Sequence, residues 1–203
     1  MHRKTLDLIF SVGGLLLAVL LLVLGLVLQN QANFAKDYVH DQLAAQKITF
    51  TPVAGLAPEE KKADCLVANA GKPLTTGKQA ECYANEYIGL HVQGINDGKT
   101  YSQSSGEARE LAAKAEAALK ANPDDPKAQA LDGQAKAAEG KTDALFRGES
   151  LRGLLLTSYG FSVFGERAAQ AALVCFLAAA VLFIAAIAGF VHAFSKAGEH
   201  VVE

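Results

Sequence analysis

The sequence predicts an all-α membrane protein in which two transmembrane helices flank a mostly helical extracytoplasmic region. Three observations predict it. Residues 8–28 are 21 positions without a charge, and residues 168–194 are 27 positions without Asp, Glu, Lys or Arg. Between them the chain turns polar, holding 16 of the 19 Lys and Arg and 18 of the 21 Asp and Glu. At about 1.5 Å of rise per residue, the first stretch matches the roughly 30 Å of a bilayer's hydrocarbon core. Backbone groups in hydrocarbon must pair within their own segment, so each stretch has to be a helix.

The first seven residues hold Arg3 and Lys4, which keep this end in the cytoplasm by the positive-inside rule. A cleaved secretory signal would share that basic start. However, 21 apolar residues exceed a typical signal core, and Gln29-Asn30-Gln31-Ala32-Asn33-Phe34-Ala35 offers no A-x-A-like site. We expect a retained anchor. Two spans return the chain to the starting side, and Lys196 after the second agrees. Both termini (1–7 and 195–203) are expected in the cytoplasm, with 29–167 outside the plasma membrane. The longer second span permits tilt but fixes no angle.

The exterior begins as a continuation of the first helix. Phe34, Tyr38, Val39 and Leu43 share an apolar stripe, and Phe34 and Tyr38 suit headgroup depth. Pro52 biases its predecessor to extended backbone, and residues 51–78 read as irregular chain punctuated by Pro and Gly. A helix is expected over 79–95, with Tyr83, Tyr87, Ile88, His91, Val92 and Ile95 on its apolar face and Asn96-Asp97-Gly98 as its stop. Residues 105–147 read as an Ala-rich helical hairpin, with Asp125 capping a helix that starts at Pro126. Its large apolar residues are few: Leu111, Leu119, Leu131, Leu145 and Phe146. Each contributes about 1.5–3 kcal/mol when buried, against about 1–2 kcal/mol per residue of ordering cost, so the hairpin is expected to lean on a neighbour. Residues 148–164 are denser in apolar side chains yet hold Arg152. They read as an interfacial or docking helix; a continuous helix through Phe194 is the competing geometry, and Gly160 and Gly165 favour a break before the second span.

Cys65 and Cys82 both fall in the expected exterior, where disulfides persist. Pairing would close a short loop worth about 3 kcal/mol. Two free thiols or a metal pair are the alternatives, and sixteen intervening residues without a His cluster argue against zinc. Cys175, within the second span, reads as a small packing residue. Gly14 and Ala18 lie four apart, as do Ala185, Gly189 and Ala193, a spacing that lets helices approach closely in lipid.

Chemistry is harder to place. A net charge of −2 offers no basic patch for nucleic acid. There is no Gly-rich phosphate loop, HExxH, CxxC or nucleophile-elbow motif, and a lone His91 among aromatic residues reads as packed. The cores of both spans lack ionisable residues, which argues against transport. No catalytic residue, cofactor or metal is expected.

Asp41-Gln42-Leu43-Ala44-Ala45-Gln46-Lys47-Ile48, Lys99-Thr100-Tyr101-Ser102 and Leu145-Phe146-Arg147-Gly148-Glu149-Ser150-Leu151-Arg152-Gly153-Leu154-Leu155-Leu156 resemble an actinobacterial family of two-span membrane proteins. The resemblance covers most of the chain except the hairpin between Glu107 and Lys141. Members are sometimes labelled ring-opening dioxygenases, which need His and carboxylate ligands for iron, and this sequence shows no such cluster. The family is similar to the prokaryotic respiratory supercomplex association factors found with the cytochrome bcc–aa3 oxidase assembly. The resemblance implies a non-catalytic accessory subunit in contact with larger integral membrane respiratory subunits and lipid. Docking is expected through Leu151, Leu154, Leu155 and Tyr159, and close helix contact through Ala185, Gly189 and Ala193. A free-standing envelope protein that binds an extracytoplasmic ligand through the 83–95 helix, or a transient assembly factor, are the alternatives.

Overall fold

The computed structural model describes residues 3–195; Lys196 and the remaining C-terminal segment, on which part of the topology reading rests, lie outside the described residues. Every regular element among the described residues is helical, and one isolated antiparallel bridge joins Thr49 to Pro73. Two helices are long and apolar enough to cross a membrane: α1 (Arg3–Ala45) and α6 (Pro126–Phe194). The chain divides into two compact units, one of Met1–Tyr38 with Ser162–Glu203, the other Val39–Phe161.

In the first unit, α1 and α6 pack side by side in opposite directions. Their seam is built from small residues seven apart: Ser11, Ala18, Gly25 and Ala32 on α1, and Gly165, Ala172, Ala179, Ala186 and Ala193 on α6, all buried. A seven-residue repeat keeps one face turned to a partner helix when the pair supercoils left-handedly. Small side chains let the backbones close up, the main source of helix affinity in lipid. A Cβ added at Gly14 would meet Ala186 at 3.9 Å, one at Gly25 would strike the Phe176 ring at 2.6 Å, and one at Gly165 would meet Ala35 at 2.8 Å. At the other end Asp7 Oδ2 lies 2.8 Å from His192 Nδ1, and the Lys4 ammonium stands 5.3 Å from the centre of the Phe194 ring. Continuing this pairing along the helices sets Leu28 level with Ala172 and Leu8 level with His192. The uncharged stretch of α1 thus lies level with roughly 172–192 of α6.

The second unit has its own core, formed by Phe50, Leu56, Leu66, Leu74, Cys82 and Leu155 with Val39 and Leu43 of α1. Lys47, at φ 53°, turns the chain out of α1. The backbone of 48–50 then pairs with 71–74: the Leu74 N–H donates to Ile48 at 2.9 Å and the Phe50 N–H to Lys72 at 3.0 Å. The stretch expected to be irregular holds the short helix α2 (Asp64–Asn69). Thr76 then opens α3 (Gly77–Cys82) with a reciprocal capping box to Gln79. The helix continues through a π segment, Tyr83–Ile88, into α4 (Gly89–Gln93). Asn96 and Asp97, both at positive φ, turn the chain into α5 (Tyr101–Ala121). Asp125 accepts from the Lys127 N–H at 2.9 Å and caps α6 at Pro126, as expected.

The hairpin of α5 and the first turns of α6 packs on alanines: Ala108 and Ala115 on one helix, Ala128 and Ala135 on the other, again seven apart and at most 8% exposed. Tyr101 and Phe146, with ring centroids 5.6 Å apart, close its base. It therefore holds together with few large side chains because alanine burial costs almost no rotamer entropy.

One expectation is corrected here. No break falls at Gly160 or Gly165, because α6 runs unbroken from Pro126 to Phe194. Glycine in a helix costs only about 1 kcal/mol. Gly165 is in any case the position that lets Ala35 approach.

Candidate functional site

With no ligand-shaped motif in the sequence, the candidate sites are surfaces. In the second unit, α6 presents two different faces. Leu145, Gly148, Arg152, Leu155 and Tyr159, spaced three and four apart, turn inward. Leu145 is 0% exposed and Leu155 3%. A Cβ at Gly148 would strike Val92 at 2.6 Å. The Arg152 guanidinium reaches the Asn85 amide oxygen at 3.4 Å. The Lys78 ammonium donates to the Tyr159 hydroxyl at 3.3 Å and sits 4.9 Å from the centre of its ring. Leu151, Leu154 and Phe161 point the other way, at 36%, 68% and 41% exposed.

The expected docking residues divide between these two faces. Leu155 and Tyr159 are held by this chain's own core and by Lys78, because they lie on the stripe that faces α3 and α4. Leu151 and Leu154 remain open. The same division holds in the first unit. Gly189 faces Ser11 across the seam and Ala193 is 2% exposed, so both are engaged by α1, whereas Ala185 is exposed. The spacing of four seen in the sequence mixed these two faces; the repeat of seven separates them.

Cys65 and Cys82 are joined in a disulfide, with Cα atoms 6.1 Å apart, which ties α2 to α3. Beside it lies an open cleft of about 520 Å³ whose polar walls include Asn69, Lys78, Gln79, Glu81, Asn85 and Glu86. Several of these groups already serve the fold: Gln79 donates to Asn69 at 3.2 Å, and Lys78 pairs with Glu81 at 2.9 Å. The Glu81 carboxylate and the Tyr159 hydroxyl hold the Lys78 ammonium above its usual range.

On the next face an aromatic ladder climbs the π segment. Phe50 meets Tyr83 edge-on at 5.3 Å, Tyr83 stacks on Tyr87 at 4.7 Å, and Tyr87 contacts His91 at 4.5 Å. Burial, with help from Tyr87 and the Glu60 carboxylate, pushes the Tyr83 phenol above its ordinary value. The Tyr87 carbonyl lies 2.8 Å from His91 Nδ1 and can only accept, so Nδ1 carries the proton. Nε2 is 3.6 Å from the buried Glu60. His91 is thus stacked at the end of the ladder and bonded to its own helix, but its side chain is 56% exposed rather than packed away as expected. Among the described residues no group of three or more His, Cys, Asp or Glu is placed to hold a metal ion.

Sequence reasoning missed Ser11, Gly25, Ala172, Ala179 and Ala186, which carry the helix–helix seam. Their signal was present as a period of seven in small residues, hidden because small residues are common in apolar helices.

No protein-family model, curated protein or solved structure matches this chain.

Proposed function

We propose that this chain is a non-catalytic accessory subunit that associates with and stabilises a larger respiratory membrane assembly of the cytochrome bcc–aa3 oxidase type. It would lie in the plasma membrane with both termini cytoplasmic and its second unit outside. The observation that carries the reading is the outward face of α6 in the second unit. There Leu154 is 68% exposed and Leu151 and Phe161 more than a third, although the unit has a buried core and a disulfide of its own. Large apolar side chains grouped on one face of a folded unit mark a surface that another molecule covers. The small-residue seam supports the same reading, since it makes the two spans a preformed pair that docks as one body.

The test is blue-native electrophoresis of membranes carrying the full-length chain. The wild type should migrate with the large respiratory complex, and Leu154→Asp should release it while leaving its amount in the membrane unchanged. A wild-type chain that migrates alone after gentle extraction refutes the proposal.

The cleft beside the disulfide favours a second reading, a free-standing envelope protein that binds an extracytoplasmic polar ligand through the 83–95 helix, whose Asn85 and Glu86 line the cleft. That reading expects the wild type to migrate alone and Asn85→Leu to abolish ligand-induced thermal stabilisation.

A further inference from the structure

The first unit contains a notch of about 190 Å³ between α1 and α6, near the end where Asp7 meets His192. Its floor is Ser11 and Ala186, 3% and 4% exposed, and its walls are Leu182 and the outward Phe10, 74% exposed. The exposed Ala185 leaves its mouth without bulk, so another backbone can approach closely. Two polar groups border this otherwise apolar space. The Asp7 carboxylate, its side chain 25% exposed, gives Oδ2 to His192 at 2.8 Å, and Oδ1 retains its acceptor capacity. Ser11 borders the same notch, its hydroxyl packed against Gly189, and that hydroxyl makes no hydrogen bond among the described residues.

From this geometry we infer that the notch is a docking socket for a transmembrane helix of a larger subunit, one that carries an arginine or lysine at the cytoplasmic edge of the bilayer. An acyl chain would fill the volume but leave the buried Ser11 hydroxyl unanswered, which hydrocarbon penalises, and would offer the Asp7 carboxylate no counter-charge. An anionic headgroup would meet a carboxylate. A basic side chain satisfies both groups. Lysine and arginine reach the interface from within the membrane by extending along their stems, and a charge-assisted bond to a carboxylate is among the stronger polar contacts. The remaining exposed faces of the spans, such as Leu16, Leu20 and Ile184, offer leucine, valine and isoleucine surface without polar features.

This inference rests on the accessory-subunit reading and names the chemistry of its partner. Its test uses the full chain in native membranes. Ala185→Leu fills the notch without touching the seam, and Asp7→Asn removes the charge. Each should lower the fraction co-migrating with the large complex, about tenfold or more for a lost desolvated charge contact, while Ile184→Ala leaves it unchanged. If the wild type migrates alone, the accessory-subunit reading fails and the socket fails with it. If the wild type and both notch variants co-migrate equally, only the socket fails. Should Ala185→Leu not accumulate, a photoreactive phenylalanine analogue at Phe10 decides. An adduct mapped to a transmembrane peptide with Arg or Lys near its cytoplasmic end supports the socket, and an adduct to lipid alone overturns it.

Discussion

Replacing both Cys65 and Cys82 with alanine tests whether the second unit is a cooperative body held by its bridge. The bond spans a sequence separation of 17 and ties α2 to α3 beside the core residue Leu66. In the chain-entropy model a loop of this length contributes about 3 kcal/mol. Alanine keeps the Cys82 site, 6% exposed, free of an unsatisfied polar group. Val39–Phe161 is 123 residues (161 − 39 + 1). At about 2.1 cal/mol/K of unfolding entropy per residue, the loss lowers Tm by about 12 °C if the unit melts as one. The assay is circular dichroism of the full chain in mild detergent, with reduced wild type as a second route to the same state. A drop below about 3 °C in both would refute the reasoning, because the bridged loop would then be ordered without its bridge.

The faces of α6 give a paired prediction. Leu155→Ala should destabilise the second unit by about 2–5 kcal/mol, as for other buried leucines. Leu154→Ala should leave its melting within about 0.5 kcal/mol of wild type; equal losses would contradict the assigned faces. In a Cys175→Ala background, Gly14→Cys with Ala186→Cys should oxidise to a disulfide in isolated membranes. A Cβ at position 14 stands 3.9 Å from that of Ala186, inside the roughly 3.5–4.5 Å range such bonds require. The outward pair Leu16→Cys with Ile184→Cys should stay unbridged, its thiols labelled by maleimide after denaturation in detergent, and the reverse pattern would refute the register. Tyr83 supplies a pH dependence. Its folded pKa is raised by burial, so its contribution is fully present below the unfolded tyrosine value of about 10 and is lost as pH rises through the folded value. Tyr83→Phe should remove part of the alkaline loss of stability seen by thermal melting, and an unchanged alkaline limb would refute the assignment.

Much of the fold was legible in the residues themselves. Uncharged length announces a helix long and apolar enough to cross a membrane, and Asp125-Pro126 writes its own helix start. The Cys65–Cys82 pair followed from the expected compartment. What the sequence concealed was orientation. Leu154 and Leu155 are chemically identical neighbours, and only the positions of Val92, Asn85 and Lys78, brought up from more than fifty residues away, decide which one is buried. Gly160 and Gly165 suggested a break because local propensity is weak evidence; packing against Ala35 outweighs it. The seam was missed for a related reason. A spacing of four identifies residues on one face, whereas only a sustained spacing of seven shows that a face is followed along a whole supercoiled pair.

The most direct measurement of the central claim is affinity purification of the tagged chain from its own membranes in a gentle detergent, followed by visible absorbance and quantitative mass spectrometry of the eluate. The account predicts haem absorbance and large integral subunits in fixed ratio to this 21.3 kDa chain. A solitary, colourless chain that elutes at its own size, or one that turns over a substrate unaided, would contradict it.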